Sequence, residues 1–155
     1  MKRLLVLLSG LCALFVMVGT VGAARDHFRA HATGAQEVPG VVTLAQGQAT
    51  FKLNEDGTAI EYKLNVANLE NVRFAHIHLA PSGQNGAVVA FLRRDRIDGP
   101  VNGRYAAGTL TAANLVGPLA GQPLSALLTA MEAGNAYINV HTDAHPAGEV
   151  RGQIE

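Results

Sequence analysis

The stretch Asn54-Glu55-Asp56-Gly57-Thr58-Ala59-Ile60-Glu61-Tyr62-Lys63-Leu64-Asn65-Val66 decides the fold class. Asp56-Gly57 supplies the backbone angles that a tight hairpin turn needs. From Thr58 to Val66 the chain then alternates. Ile60, Tyr62, Leu64 and Val66 fall on one side, and Glu61, Lys63 and Asn65 on the other. A period of two is the pattern of a strand with one buried face. Upstream of the turn, Ala49 to Leu53 alternates through Ala49, Phe51 and Leu53.

The same pattern extends in both directions. His27 to Thr33 places Phe28, Ala30 and Ala32 on one side, and Phe74 to Leu79 is a further strand. After Gln84-Asn85-Gly86, Ala87 to Leu92 is apolar on both faces, which predicts a central strand. Arg93 to Gly103 holds three arginines and two aspartates among Gly and Pro and reads as a solvated loop. Arg104 to Leu110 is another strand, and Tyr137 to His141 and Glu149 to Ile154 close the chain as two more. Pro123 to Ala133 is the one helical stretch. Its stripe of Leu124, Leu127, Leu128 and Met131 suits a lid on the core, and Gly134 suits the C-terminal cap. Short strands separated by turn signals predict an all-β domain, a Greek-key sandwich or barrel, with one short helix.

The first 24 residues read as a targeting segment. Lys2 and Arg3 precede an apolar run from Leu4 to Val18, and Val21-Gly22-Ala23 resembles a small-residue cleavage site. The run is shorter than the ~20 residues a membrane span needs, so the expectation is a cleaved leader over residues 1–24 and no stable membrane insertion afterwards. Cys12 has Leu11 before it, where a lipoprotein signal wants a small residue. The protein is expected to be exported, periplasmic or secreted.

Residues 25–155 remain as one domain, long enough to bury about two-thirds of the unfolded surface. They carry ten basic and twelve acidic residues and no basic run. That balance makes nucleic acid and anionic membrane poor partners. The only cysteine lies in the leader, which removes thiolate metal sites and cysteine nucleophiles from the domain.

Chemistry concentrates in histidine. His76-Ile77-His78 puts two imidazoles on one side of a strand. In Tyr137-Ile138-Asn139-Val140-His141, Ile138 and Val140 face the core, so His141 faces outward as His76 and His78 do. If the two strands lie in the same sheet or meet at its edge, three imidazoles converge outside the barrel and leave an open coordination position. Nitrogen ligands without thiolate suit copper or zinc better than magnesium or calcium. His145 is a fourth candidate, in the loop from Thr142 to Gly148, and Asp143 could orient a ligand imidazole. In the competing expectation no metal binds, and the histidines hydrogen-bond to covering loops. No phosphate-cradling loop or serine nucleophile context is present. Glu37 and Glu149 could pair for acid–base work, and Arg151, on the same face as Glu149, could instead form a salt bridge with it.

Three segments together resemble a known family. They are Gly34-Ala35-Gln36-Glu37-Val38-Pro39, Ala75-His76-Ile77-His78 with Asn85-Gly86, and Asn135 to Thr142 followed by Pro146 to Ile154. In this order they resemble the CHRD domain, the module named after chordin, over about His27 to Glu155. That resemblance implies an exported all-β binding or structural module without a settled activity. Its partner would be an extracellular or periplasmic protein or a metal ion. His76, His78 and His141 also resemble copper ligands of Cu/Zn superoxide dismutase, a Greek-key β-sandwich. The bridging and zinc-ligand histidines and the disulfide cysteines have no counterparts. That second resemblance implies the alternative of a copper-dependent, dismutase-like redox enzyme without a zinc site. The fold expected is an immunoglobulin-like or superoxide-dismutase-like sandwich or barrel.

Overall fold

The computed structural model describes residues 25–155; the leader expected over residues 1–24 lies outside them. The elements are β1 (His27–Thr33), β2 (Gln46–Leu53), β3 (Ile60–Leu79), β4 (Ala87–Arg93), β5 (Ile97–Leu110), α1 (Leu124–Glu132), β6 (Ala136–Thr142) and β7 (Val150–Gln153). Every strand pairing is antiparallel. The order β3-β2-β1-β7-β6 returns to β3, so these five strands close a barrel. Closure leaves those strands no free edge. The all-β expectation with one short helix therefore holds, in its barrel form.

β3 organises the barrel. Its first half pairs with β2 and β5, and its second half pairs with β6 and β4. At Val72 both β5 and β6 are bonded, which places them on opposite edges of β3. β4 and β5 thus follow one another along one edge, and β2 and β6 along the other. Three expectations are corrected here. Thr58–Val66 and Phe74–Leu79 belong to one continuous strand. Ala87–Leu92 is not central, because β4 pairs with β3 alone; its two apolar faces reflect cover by the segment 115–119, where the Val116 N–H donates to the Val89 carbonyl at 2.8 Å. The expected loop Arg93–Gly103 shrinks to residues 94–96, because Ile97 onward pairs with β3.

Three irregularities divide the halves of β3, two against β5 and one against β6 between Val72 and Phe74. Register shifts lie between Val66 and Leu69 and between Glu70 and Val72, and Asn68 (φ 58°) and Asn71 (φ 50°) take the left-handed conformation. Asparagine tolerates that region better than other side chains with a Cβ. Each irregularity leaves an extra residue on one strand of the pair, on β3 after Val66 and on β5 beside Asn71, and re-aims the strand. The inward parity switches three times, at Leu69, Val72 and Ala75, and an odd number of switches leaves a net change of phase. Ile60, Tyr62, Leu64 and Val66 are the buried residues before the bulges; Ala75 and Ile77 carry the core face after them. Without that change, His76 and His78 would point into the core.

The core is one cluster from all seven strands, closed by Leu124, Leu127 and Met131 of α1. Among the described residues, no helix is long and apolar enough to cross a membrane.

Candidate metal centre

The β3–β6 register assembles the site. His78 lies opposite Tyr137, His76 opposite Asn139, and Phe74 opposite His141. On the other edge, His76 lies opposite Phe91 of β4. These side chains share the face that points away from Ala75 and Ile77. The sequence expectation of a common side holds, but that side is not open to solvent. His76, His78 and His141 are only 6%, 8% and 6% exposed.

The cover comes from aromatic rings and loops. Phe74 lies 4.8 Å from His76 and 4.7 Å from His141, ring centre to ring centre. Phe91 meets His76 edge-on at 4.6 Å. Tyr137 stacks on His78 at 4.8 Å with planes 8° apart. The fully buried Arg151 guanidinium lies 3.5 Å over the Tyr137 ring and donates to the Pro81 carbonyl at 3.1 Å. Gln153 donates to the Ala80 carbonyl at 2.8 Å. Asn85 donates to the Val38 carbonyl at 2.7 Å. β7 thus ties down the loop after β3, which in turn holds the Glu37–Pro39 segment.

Nitrogens of the three histidines converge. One ring nitrogen from each lies within 4.8 Å of the other two. His76 Nδ1 and His141 Nε2 are 3.2 Å apart. Two nitrogens each 2.0–2.1 Å from a shared ion, at that separation, subtend about 100°, close to a tetrahedral angle. Main-chain carbonyls orient two of the rings. His78 Nδ1 donates to the Gly86 carbonyl at 2.9 Å, and His141 Nδ1 donates to the Pro146 carbonyl at 3.0 Å. A carbonyl can only accept, so Nε2 of His78 keeps its lone pair; Nε2 of His141 lies between His76 Nδ1 and Asn139 Oδ1, the latter 2.9 Å away. His78 Nε2 is buried with no partner. Such an orphan costs about 1–3 kcal/mol unless something satisfies it.

Burial depresses all three basicities. It pulls His76 down to about 3, helped by the charges of His141, His78 and Arg94. It pulls His141 down to about 4, against the Pro146 carbonyl. His78 is lowered by burial, against the Gly86 carbonyl. All three are therefore neutral at pH 7, which is the state that ligates metal.

The other expected site residues stand apart. His145 is not among the converging histidines; its backbone closes the loop through Thr142 Oγ1 at 3.1 Å. Asp143 orients no imidazole. It accepts from Arg73 at 2.7 Å and from both terminal nitrogens of Arg96 at 2.7 and 2.6 Å. The orienting groups are the Gly86 and Pro146 carbonyls instead. Glu149 forms no ion pair with Arg151; it accepts from Thr43 and Thr142, each at 2.7 Å. Glu37 is buried with Oε1 unpartnered, and burial pushes its carboxyl up to about 7 against the pull of Arg151. Its packing explains Gly148: a Cβ there would lie 2.5 Å from the Glu37 carboxylate.

Tyr137, Asn139 and Phe91 complete the site, and the histidine motif alone does not show them. The signal for two of them was present in the parity of β6, since Tyr137 and Asn139 alternate with Ile138 and Val140 exactly as His141 does.

Residues 28–154 match the family model of the CHRD domain. Comparison with curated proteins and with solved structures returns no match.

Proposed function

The chain belongs to the CHRD domain family, and from that premise we propose that it is a binding module holding one copper or zinc ion through His76, His78 and His141. The observation that carries this reading is the buried, unpartnered Nε2 of His78 beside the 3.2 Å pair of His76 and His141 nitrogens. A purely hydrogen-bonded histidine cluster satisfies the pair and leaves the orphan; a shared ion satisfies both. Three neutral nitrogen donors suit copper and zinc. The two carbonyls that hold Nδ1 of His78 and His141 orient those rings, as hydrogen-bond partners behind ligand histidines do in metal sites.

Burial favours holding an ion over turning over a substrate. A redox enzyme needs a path to the open coordination position, and all three ligands are more than nine-tenths covered. The leader-like residues 1–24 support an exported setting for the module. Equilibrium titration of the purified protein with copper(II) and zinc tests the reading. One ion per chain is expected, with affinity at least a hundredfold above that of the triple variant H76A/H78A/H141A. Equal affinity in the two proteins would refute it.

A further inference from the structure

A second surface lies on the first half of β3. The register aligns outward side chains across four strands. Arg29 is opposite Thr50, which is opposite Lys63; Lys52 is opposite Glu61; Asn65 is opposite Arg104. All of these are exposed. Four permanent cations, Arg29, Lys52, Lys63 and Arg104, thus share one face of β1, β2, β3 and β5 with a single strand carboxylate, Glu61. The domain as a whole is slightly acidic, with ten basic against twelve acidic residues after position 24. The face is therefore a positive island. It is invisible as a run in the sequence because each strand contributes a single cation.

Two further observations mark it as a binding face. Arg29, Lys52 and Lys63, with Arg25, line a groove of about 760 Å³, whose carboxylates are Glu61 and Glu155. None of these four cations has an ion-pair partner among the described residues, whereas Arg73 and Arg96 elsewhere are clamped by Asp143 and Asp98.

The geometry points to an acidic polysaccharide as the occupant. Unpaired cations in a groove attract a polyanion and steer its approach. Gln48, Thr50, Asn65 and Thr109, on the same face, offer neutral donors and acceptors for hydroxyl groups. The face presents no exposed aromatic ring on which a base could stack, as single-stranded nucleic acid requires. It has no large apolar side chain to enter a membrane interface or to form the core of a protein interface.

The test measures binding of the full chain to polygalacturonate and dextran sulfate, with neutral dextran as reference. Two variants change the net charge equally: K52Q/K63Q on the face, and Q122E/S125E at the start of α1. K52Q/K63Q is expected to weaken binding to the acidic polymers at least tenfold and to flatten its salt dependence. Q122E/S125E is expected to stay within twofold of the wild type. Equal loss in both variants, equal binding of neutral dextran, or tighter binding of a single-stranded oligonucleotide or anionic phosphatidylserine vesicles would overturn the assignment. Circular dichroism and thermal unfolding establish that both variants are folded.

Discussion

The two halves of β3 use one strand in two ways. From Ile60 to Val66 the inner face is core and the outer face is wet, with Glu61, Lys63 and Asn65 in solvent. From Ala75 to His78 every residue is buried. The inner face is core again, but the outer face carries imidazoles under a second layer of Phe74, Phe91, Tyr137 and two anchored loops. Alternation says which way a side chain points. What lies on that side is decided by the strands and loops that arrive from elsewhere in the chain.

The inner faces of the two halves should be equivalent, and this is where the largest effects lie. Leu64 and Ile77 are both fully buried. Leu64→Ala and Ile77→Ala are each expected to lower unfolding free energy by about 2–5 kcal/mol. Urea denaturation measures both. A loss below 1 kcal/mol at Ile77 would mean that the second half does not share the core.

The outer faces should differ in their response to pH. Below pH 6.5 the unfolded metal-free chain takes up protons at His76, His78 and His141, while the fold resists until His141 and His76 titrate near 4 and 3. Their contribution is thus complete above pH 6.5 and is lost progressively as pH falls from there, by up to about 1.4 kcal/mol per unit for each histidine. Glu37 acts in the opposite sense. Raised from 4.5 to about 7, it contributes most at acid pH and loses that contribution as pH rises through 7. Three histidines outweigh one carboxyl, so stability should be lower at pH 5 than at pH 7. Equal denaturation midpoints at the two values would contradict burial of the histidine face.

The smallest effect is expected at the boundary between the halves. Asn68→Val puts a β-branched residue at φ 58° and should lower stability by about 1–2 kcal/mol. Asn68→Gly relieves that strain and should stay closer to the wild type. Thermal unfolding of both variants checks the order, and an equal loss in the two would show that the bulge is not held by backbone conformation.

Much of this was legible in the sequence. Most of the strands, the helix stripe and the common side of His76, His78 and His141 follow from local period and parity. What was not legible depends on pairing between distant segments. Joining Thr58–Val66 to Phe74–Leu79 required two left-handed asparagines inside one strand, which read locally as a break. The burial of the histidines depends on β7: Arg151 and Gln153 hold the loop that covers them, and nothing in the spacing of those residues names their partners. Asp143 sits beside His141 in sequence but is captured by Arg73 and Arg96 from β3 and the β4–β5 connection. The basic face is likewise a product of register.

The central claim is that the covered outer face of β3 holds an ion. X-ray absorption on protein loaded with one equivalent of zinc tests it most directly. Three imidazole nitrogens at about 2.0–2.1 Å are expected, and H78A should reduce that number by one. A shell of oxygens alone, or a spectrum unchanged by H78A, would contradict the account.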